Sequence, residues 1–132
     1  MSEGDTPQFF RARSIRALES TRMLVREGDA AGAGNRAYYA MFDAVHAALR
    51  IKGIVSEGPG PKTHNGLISL FSRELVQTGQ LDVAYSKALN KVQQVRLQGD
   101  YAAGPLSLED ATRAVAQAET FVAGLREAFP LP

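Results

Sequence analysis

Arg96, Asp100 and Tyr101 fall together at the C-terminal end of a helix-forming stretch, and they define much of the chemistry the chain can offer. An arginine at such a place can interact with the terminal helix carbonyls, pair with Asp100, or face a phosphate with its planar fork of donors. Asp100 does not replace a missing general acid, because an unperturbed carboxylate is already ionised at pH 7. His64 follows Thr63 at the start of an apolar helical pattern. There the hydroxyl and the open backbone N–H groups can form an anion site, while a helix-start hydrogen bond is the plainer role for the imidazole. Arg36 stands immediately before Ala37-Tyr38-Tyr39, where a charge entering a small-residue helix face marks an internal pair as readily as an interface. Two adjacent tyrosines on a helix cannot share a face, so at least one phenol must leave the core or find a partner. Tyr38 belongs to the apolar seam, which leaves Tyr39 as a binding candidate beside Arg36. The candidate binding set is therefore Arg36, Tyr39, His64, Arg96, Asp100 and Tyr101; the candidates for catalysis, should there be any, are Arg96, Asp100, Tyr101 and His64.

Other constellations are set aside on physical grounds. His46 lies in the most apolar helix pattern and reads as a satisfied core or interface residue. No His/Glu pair has the spacing a bundle di-iron centre requires, so no metal and no cofactor is expected. Gly58-Pro59-Gly60-Pro61-Lys62-Thr63 looks superficially like a phosphate loop. It fails as one: two prolines remove backbone donors, the glycine before the lysine is missing and no strand precedes it. Lys87, Lys91, Gln94 and Gln98 form a row at helical spacing that could track a nucleic-acid backbone, although such a row is commonly a solvated face.

These residues need helices to position them. Asp5-Thr6-Pro7 supplies an N-cap and a proline for a helix from about Pro7 to Glu27, with Phe10, Ala17, Leu18, Thr21, Leu24 and Val25 on one arc and Arg11, Arg22 and Arg26 beside it. Asp29 can cap a second helix, weak at Gly32 and Gly34 and strong from Arg36 to Lys52, with Gly53 as its stop. Tyr38, Met41, Phe42 and Val45 form its seam, and Ala37, Ala40 and Ala44 admit a close neighbour. After the Ile54–Pro61 loop, a short third helix is capped by Thr63 and ended by Gly79, with Leu67, Ile68, Phe71 and Leu75 inward. The fourth runs from about Asp82 to Gln98 and is stopped by Gly99, placing Arg96 in its last turn and Asp100-Tyr101 in the turn beyond. Ser107-Leu108-Glu109-Asp110 resembles a capping box and opens a fifth helix carrying Ala111, Val115, Ala118, Val122, Leu125 and Phe129 at core spacing, ended by Pro130. No window alternates as a strand would. The expected fold class is all-α, an antiparallel up-and-down bundle of about five helices.

Composition narrows the setting. With 132 residues, 45% of them hydrophobic, the chain is expected to form one domain over 1–132, with 1–5 and 130–132 as mobile ends. The absence of cysteine removes disulfides and thiolate zinc sites and fits a reducing cytoplasm. The polar start Met1-Ser2-Glu3-Gly4-Asp5 lacks the features of a signal peptide, and no apolar run is long enough to span a bilayer, so no membrane association is expected. A net charge of +1 gives no global attraction for nucleic acid; such binding must use a local patch.

Arg36-Ala37-Tyr38-Tyr39-Ala40-Met41-Phe42, Thr63-His64-Asn65-Gly66 and the Arg96…Asp100-Tyr101 ending resemble the HEPN superfamily, the nucleotide-binding helical bundles of higher eukaryotes and prokaryotes, over nearly the whole chain. Catalytic members of that family carry an arginine, four to six variable residues, a histidine and often a tyrosine two positions later. Here the interval is shortened, and with Tyr101 set on the family tyrosine, Gly99 occupies the histidine position. The resemblance therefore implies a module that binds RNA, a nucleotide or a partner protein in a toxin–antitoxin type system. A homodimer and a minimal nucleotidyltransferase antitoxin are its implied partners, and a divergent metal-independent endoribonuclease is the alternative.

Overall fold

Thr6, Asp29, Thr63 and Ser107 each turn a side-chain oxygen onto the backbone N–H three residues later, and each starts a helix where the sequence places one. The structure is a computed structural model that describes residues 3–101 and 105–132. After a single 3₁₀ turn at Glu3–Asp5, the described chain forms α1 (Pro7–Arg26), α2 (Ala30–Ile51), α3 (His64–Phe71), α4 (Val83–Tyr101) and α5 (Leu108–Ala128). It is an all-α helical bundle, and no strand occurs among the described residues. Gly28 and Gly53 take positive φ just after α1 and α2, the conformation that makes glycine a helix stop.

The bundle is built around α2. Its alanines 37, 40, 44, 47 and 48 are buried and let α1, α4 and α5 pack against it, while Tyr38, Met41, Val45 and Leu49 fill the gaps between them. Facing them are Ala17 and Leu18 of α1, Leu89 and Val92 of α4, and Ala111, Ala118, Val122 and Leu125 of α5. Each large apolar side chain so enclosed contributes about 1.5–3 kcal/mol. The apolar surplus of α2 is thus buried within the chain itself and does not by itself call for a second copy. Ser14 of α1 donates to the Ala40 carbonyl at 2.6 Å, a buried hydrogen bond that ties α1 to α2.

Two local features differ from expectation. α3 passes directly into a π turn at Ser72–Val76, so the third helical segment keeps within the Thr63 cap and the Gly79 stop but its second part is looser in pitch than its apolar spacing indicates. Gly99 does not stop α4; the helix continues to Tyr101, and Asp100 and Tyr101 are helical in backbone rather than in a following turn. The reason is a close approach. A Cβ on Gly99 would lie 3.3 Å from both the Cα and the Cβ of Ala31 and 3.5 Å from Leu106, so this glycine makes room for the start of α2.

Candidate functional site

His64 is the first residue of α3, held there by the Thr63 cap, and its ring is aimed back at α2. Its Nδ1 lies 3.0 Å from the Tyr38 phenol oxygen and its Nε2 lies 3.4 Å from that of Tyr39. In a neutral imidazole one ring nitrogen donates and the other accepts, so one phenol gives a proton to the ring and the other receives one. Adjacent tyrosines that diverge on a helix thus converge on one histidine. Phe42 closes the group, its ring centroid 4.9 Å from that of His64 and 6.0 Å from that of Tyr38. Phe42 is only partly buried, a wall of this cluster rather than a core plug.

Arg96 enters from α4 and sets its guanidinium carbon 5.0 Å from the centroid of the Tyr38 ring, a cation–π contact with an enclosed aromatic face. Burial pushes the His64 pKa down, and the Arg96 charge lowers it further, so the ring is neutral at pH 7. Burial pushes the Tyr38 phenol up to about 12, against the pull of Arg96 and with a smaller push from Tyr39. It keeps its proton. The cluster therefore presents a fixed positive charge beside a neutral hydrogen-bonded imidazole and a protonated phenol.

A second polar group lies on the α1 side of α2. Asp43, 2% exposed, pairs with Arg13 of α1 at 3.5 Å and also feels the charge of Arg36. Burial nevertheless raises its pKa to about 6, the two arginines opposing that rise. Two turns on, Arg50 donates to His46 Nδ1 at 2.9 Å and to the carbonyls of Asp5 and Gly58 at 2.8 Å each, over the Phe10 ring. Arginine only donates, so His46 must carry its proton on Nε2. Burial, then Arg50 and Arg13, push its pKa down to about 4. His46 is the satisfied core residue the sequence indicates, and Arg50 is a structural strap joining the N-terminal turn to the loop after α2.

Of the residues singled out in the sequence, the structure gathers Tyr39, His64 and Arg96 around Tyr38, and sets Arg36 on the neighbouring stripe of α2. The side chains of Asp100 and Tyr101 lie outside the described residues. Sequence reasoning missed Arg13 and Asp43, because nothing local signals an ion pair between two helices thirty residues apart; the one cue was an acidic residue inside the most apolar helix. Among the described residues no three His, Cys, Asp or Glu side chains come together as a metal site needs, and no helix is long and apolar enough to cross a membrane. A cavity of about 480 Å³ lies between α4 and α5, lined by Ala84, Tyr85, Ala88, Ala116, Thr120 and Phe121 among others. It shares no residue with the Arg96–His64 cluster.

The chain is 32% identical over 94 residues to a UPF0332 protein of Thermotoga maritima, a match covering 71% of this chain and 67% of that protein. It is 31% identical over 94 residues to a protein of Methanocaldococcus jannaschii provisionally named a toxin, covering 71% and 66% of the two chains. A second protein of that organism with the same provisional name is 33% identical over 89 residues, covering 67% and 57%. The matched stretch thus spans about two thirds or less of these relatives. The family model of the HEPN domain matches residues 8–128, and with the tyrosine pair, the Thr-His helix start and the arginine of α4 assembled at one site, the chain belongs to the HEPN domain family.

Proposed function

We propose that this HEPN chain is a binding module of a toxin–antitoxin type system that recognises RNA or a nucleotide through the face formed by Arg36, Tyr39, His64 and Arg96. The observation that carries this reading is the Arg96 guanidinium held over Tyr38 beside a neutral His64 whose two ring nitrogens both have phenol partners. A guanidinium so oriented can grip a phosphate in two places. The two phenols hold the His64 ring in place on the wall of this face. The toxin names of two relatives support the setting. Within this proposal the chain works in the cytoplasm as a homodimer, with a minimal nucleotidyltransferase as its antitoxin, and Asp100 and Tyr101 extend the same face.

The alternative, a metal-independent endoribonuclease, is favoured by one observation: His64 and Arg96, from different helices, flank the same tyrosine. Binding measurements test the preferred reading. Arg96→Lys keeps the charge and loses the planar fork, so the affinity for unstructured RNA should fall about tenfold or more, the worth of one charge-assisted contact. Unchanged affinity in both Arg96→Lys and Arg96→Ala would remove Arg96 from the site and with it this reading.

A further inference from the structure

Asp43 is a buried carboxylate in the middle of α2, and a buried charge requires a partner. Arg13 meets it through Nε at 3.5 Å, lies over the Phe9 ring at 5.5 Å, and remains 51% exposed. Only one edge of this guanidinium is taken. Its two terminal nitrogens make no hydrogen bond among the described residues, and Asp43 and Phe9 hold the group between them. Arg36 adds its charge to the same carboxylate from two turns earlier on α2 and makes no ion pair among the described residues. Two guanidiniums against one carboxylate leave a local positive charge on a chain whose net charge is only +1.

The position of this pair relative to Arg96 follows from the helix. At about 100° per residue, Arg36 and Asp43 fall within about 20° of each other, Tyr39 lies about 40–60° to one side, and Tyr38 about 100° beyond Tyr39. Tyr39 is partly exposed and stands between the arginine pair and the Arg96–Tyr38–His64 cluster. A charge, an aromatic ring and a second charge in sequence is the pattern that tracks an unpaired strand, phosphates on the cations and a base on the ring.

We propose that Arg13, held by Asp43, and Arg36 form a second phosphate-binding pair joined to the Arg96 site across Tyr39, so that this face takes single-stranded RNA rather than a free nucleotide. The inference rests on reading the Arg96 face as an RNA-binding surface. In it Asp43 is a positioning residue, and Arg13 and Arg36 touch the ligand.

Fluorescence anisotropy with a short labelled oligouridylate across a salt series tests it, with uridine monophosphate as competitor. The parent should bind the oligonucleotide at least about tenfold more tightly than the mononucleotide, as expected when a second phosphate is engaged by charged donors. Arg13→Gln and Arg36→Gln should each lower the slope of log K against log salt by about 0.7, the value for one single-strand phosphate. Asp43→Asn supplies a readout that a merely structural carboxylate would not move as the proposal requires. Removing a negative charge should by simple attraction tighten RNA binding, whereas loss of the Arg13 orientation should weaken it. Melting curves accompany each variant, and if Asp43→Asn does not fold, Arg36→Gln, which breaks no ion pair among the described residues, decides. Oligouridylate binding that depends on Arg96 but keeps the parental slope in Arg13→Gln and Arg36→Gln would overturn this pair and leave the Arg96 reading standing. Equal affinity for oligonucleotide and mononucleotide would do the same. Failure of the parent to bind oligouridylate at low salt would overturn both.

Discussion

His46 and Asp43, three residues apart on α2, titrate in opposite senses, and the consequence can be measured. The unfolded chain protonates a histidine near 6.5, but native His46, buried against Phe10 and accepting from Arg50, does so only near 4. Its native form binds fewer protons, so its contribution falls as the pH drops from about 6.5 to about 4. Asp43 behaves inversely. Native Asp43 takes up its proton near 6 and the unfolded one near 3.8, so stability rises as the pH falls through that window. The two slopes, each about 1.4 kcal/mol per pH unit, nearly cancel between pH 6 and pH 4. Urea titrations of Asp43→Asn across that window should expose the His46 slope, stability falling with acid where the parent changes much less. A variant as flat as the parent would mean that His46 is not held neutral.

At the scale of elements, Gly99 decides how α4 meets α2. A glycine in a helix interior costs up to about 1 kcal/mol relative to alanine, and here it admits Ala31 at a distance a side chain would disturb. Replacing it by Gly99→His should therefore cost about 1–3 kcal/mol through overpacking, read as a lower urea midpoint at unchanged m. A midpoint equal to or above that of the parent would show the start of α2 to be free to move aside. The same glycine shows what the sequence could and could not tell. Caps are local, so Thr6, Asp29, Thr63 and Ser107 located four helix starts from neighbouring residues alone. A glycine after apolar spacing reads as a stop whether it ends a helix or makes room for a neighbour, and only the position of Ala31 separates the two. The π turn at Ser72–Val76 has no periodicity of its own to read. The site was legible as residue types, with Tyr39, His64 and Arg96 recognised individually, but not as an arrangement: the His64 ring between two phenols and the Arg13–Asp43 pair depend on contacts across 25 to 30 positions of chain.

For the whole molecule, two parts of the proposed function reach beyond one chain. The homodimer cannot be argued from α2, whose apolar residues are enclosed by α1, α4 and α5. Among the described residues the large apolar side chains left exposed are Phe9 and Met23 on α1, Val83 and Leu97 on α4, Leu108 at the start of α5, and Leu131, surface of the kind a second copy would cover. Light scattering at tens of micromolar protein should give twice 14.2 kDa, and a mass of 14.2 kDa at that concentration would contradict the dimer. The division between binding and cleavage is the central claim, and incubation of the purified chain with unstructured RNA in chelator, beside Arg96→Ala and His64→Ala, tests it most directly. On the alignment that sets Tyr101 on the family tyrosine and leaves Gly99 where the histidine would stand, the proposed binding role predicts intact RNA in every lane, with binding that is lost in Arg96→Ala; cleavage by the parent that Arg96→Ala or His64→Ala abolishes would contradict it and make the chain a ribonuclease.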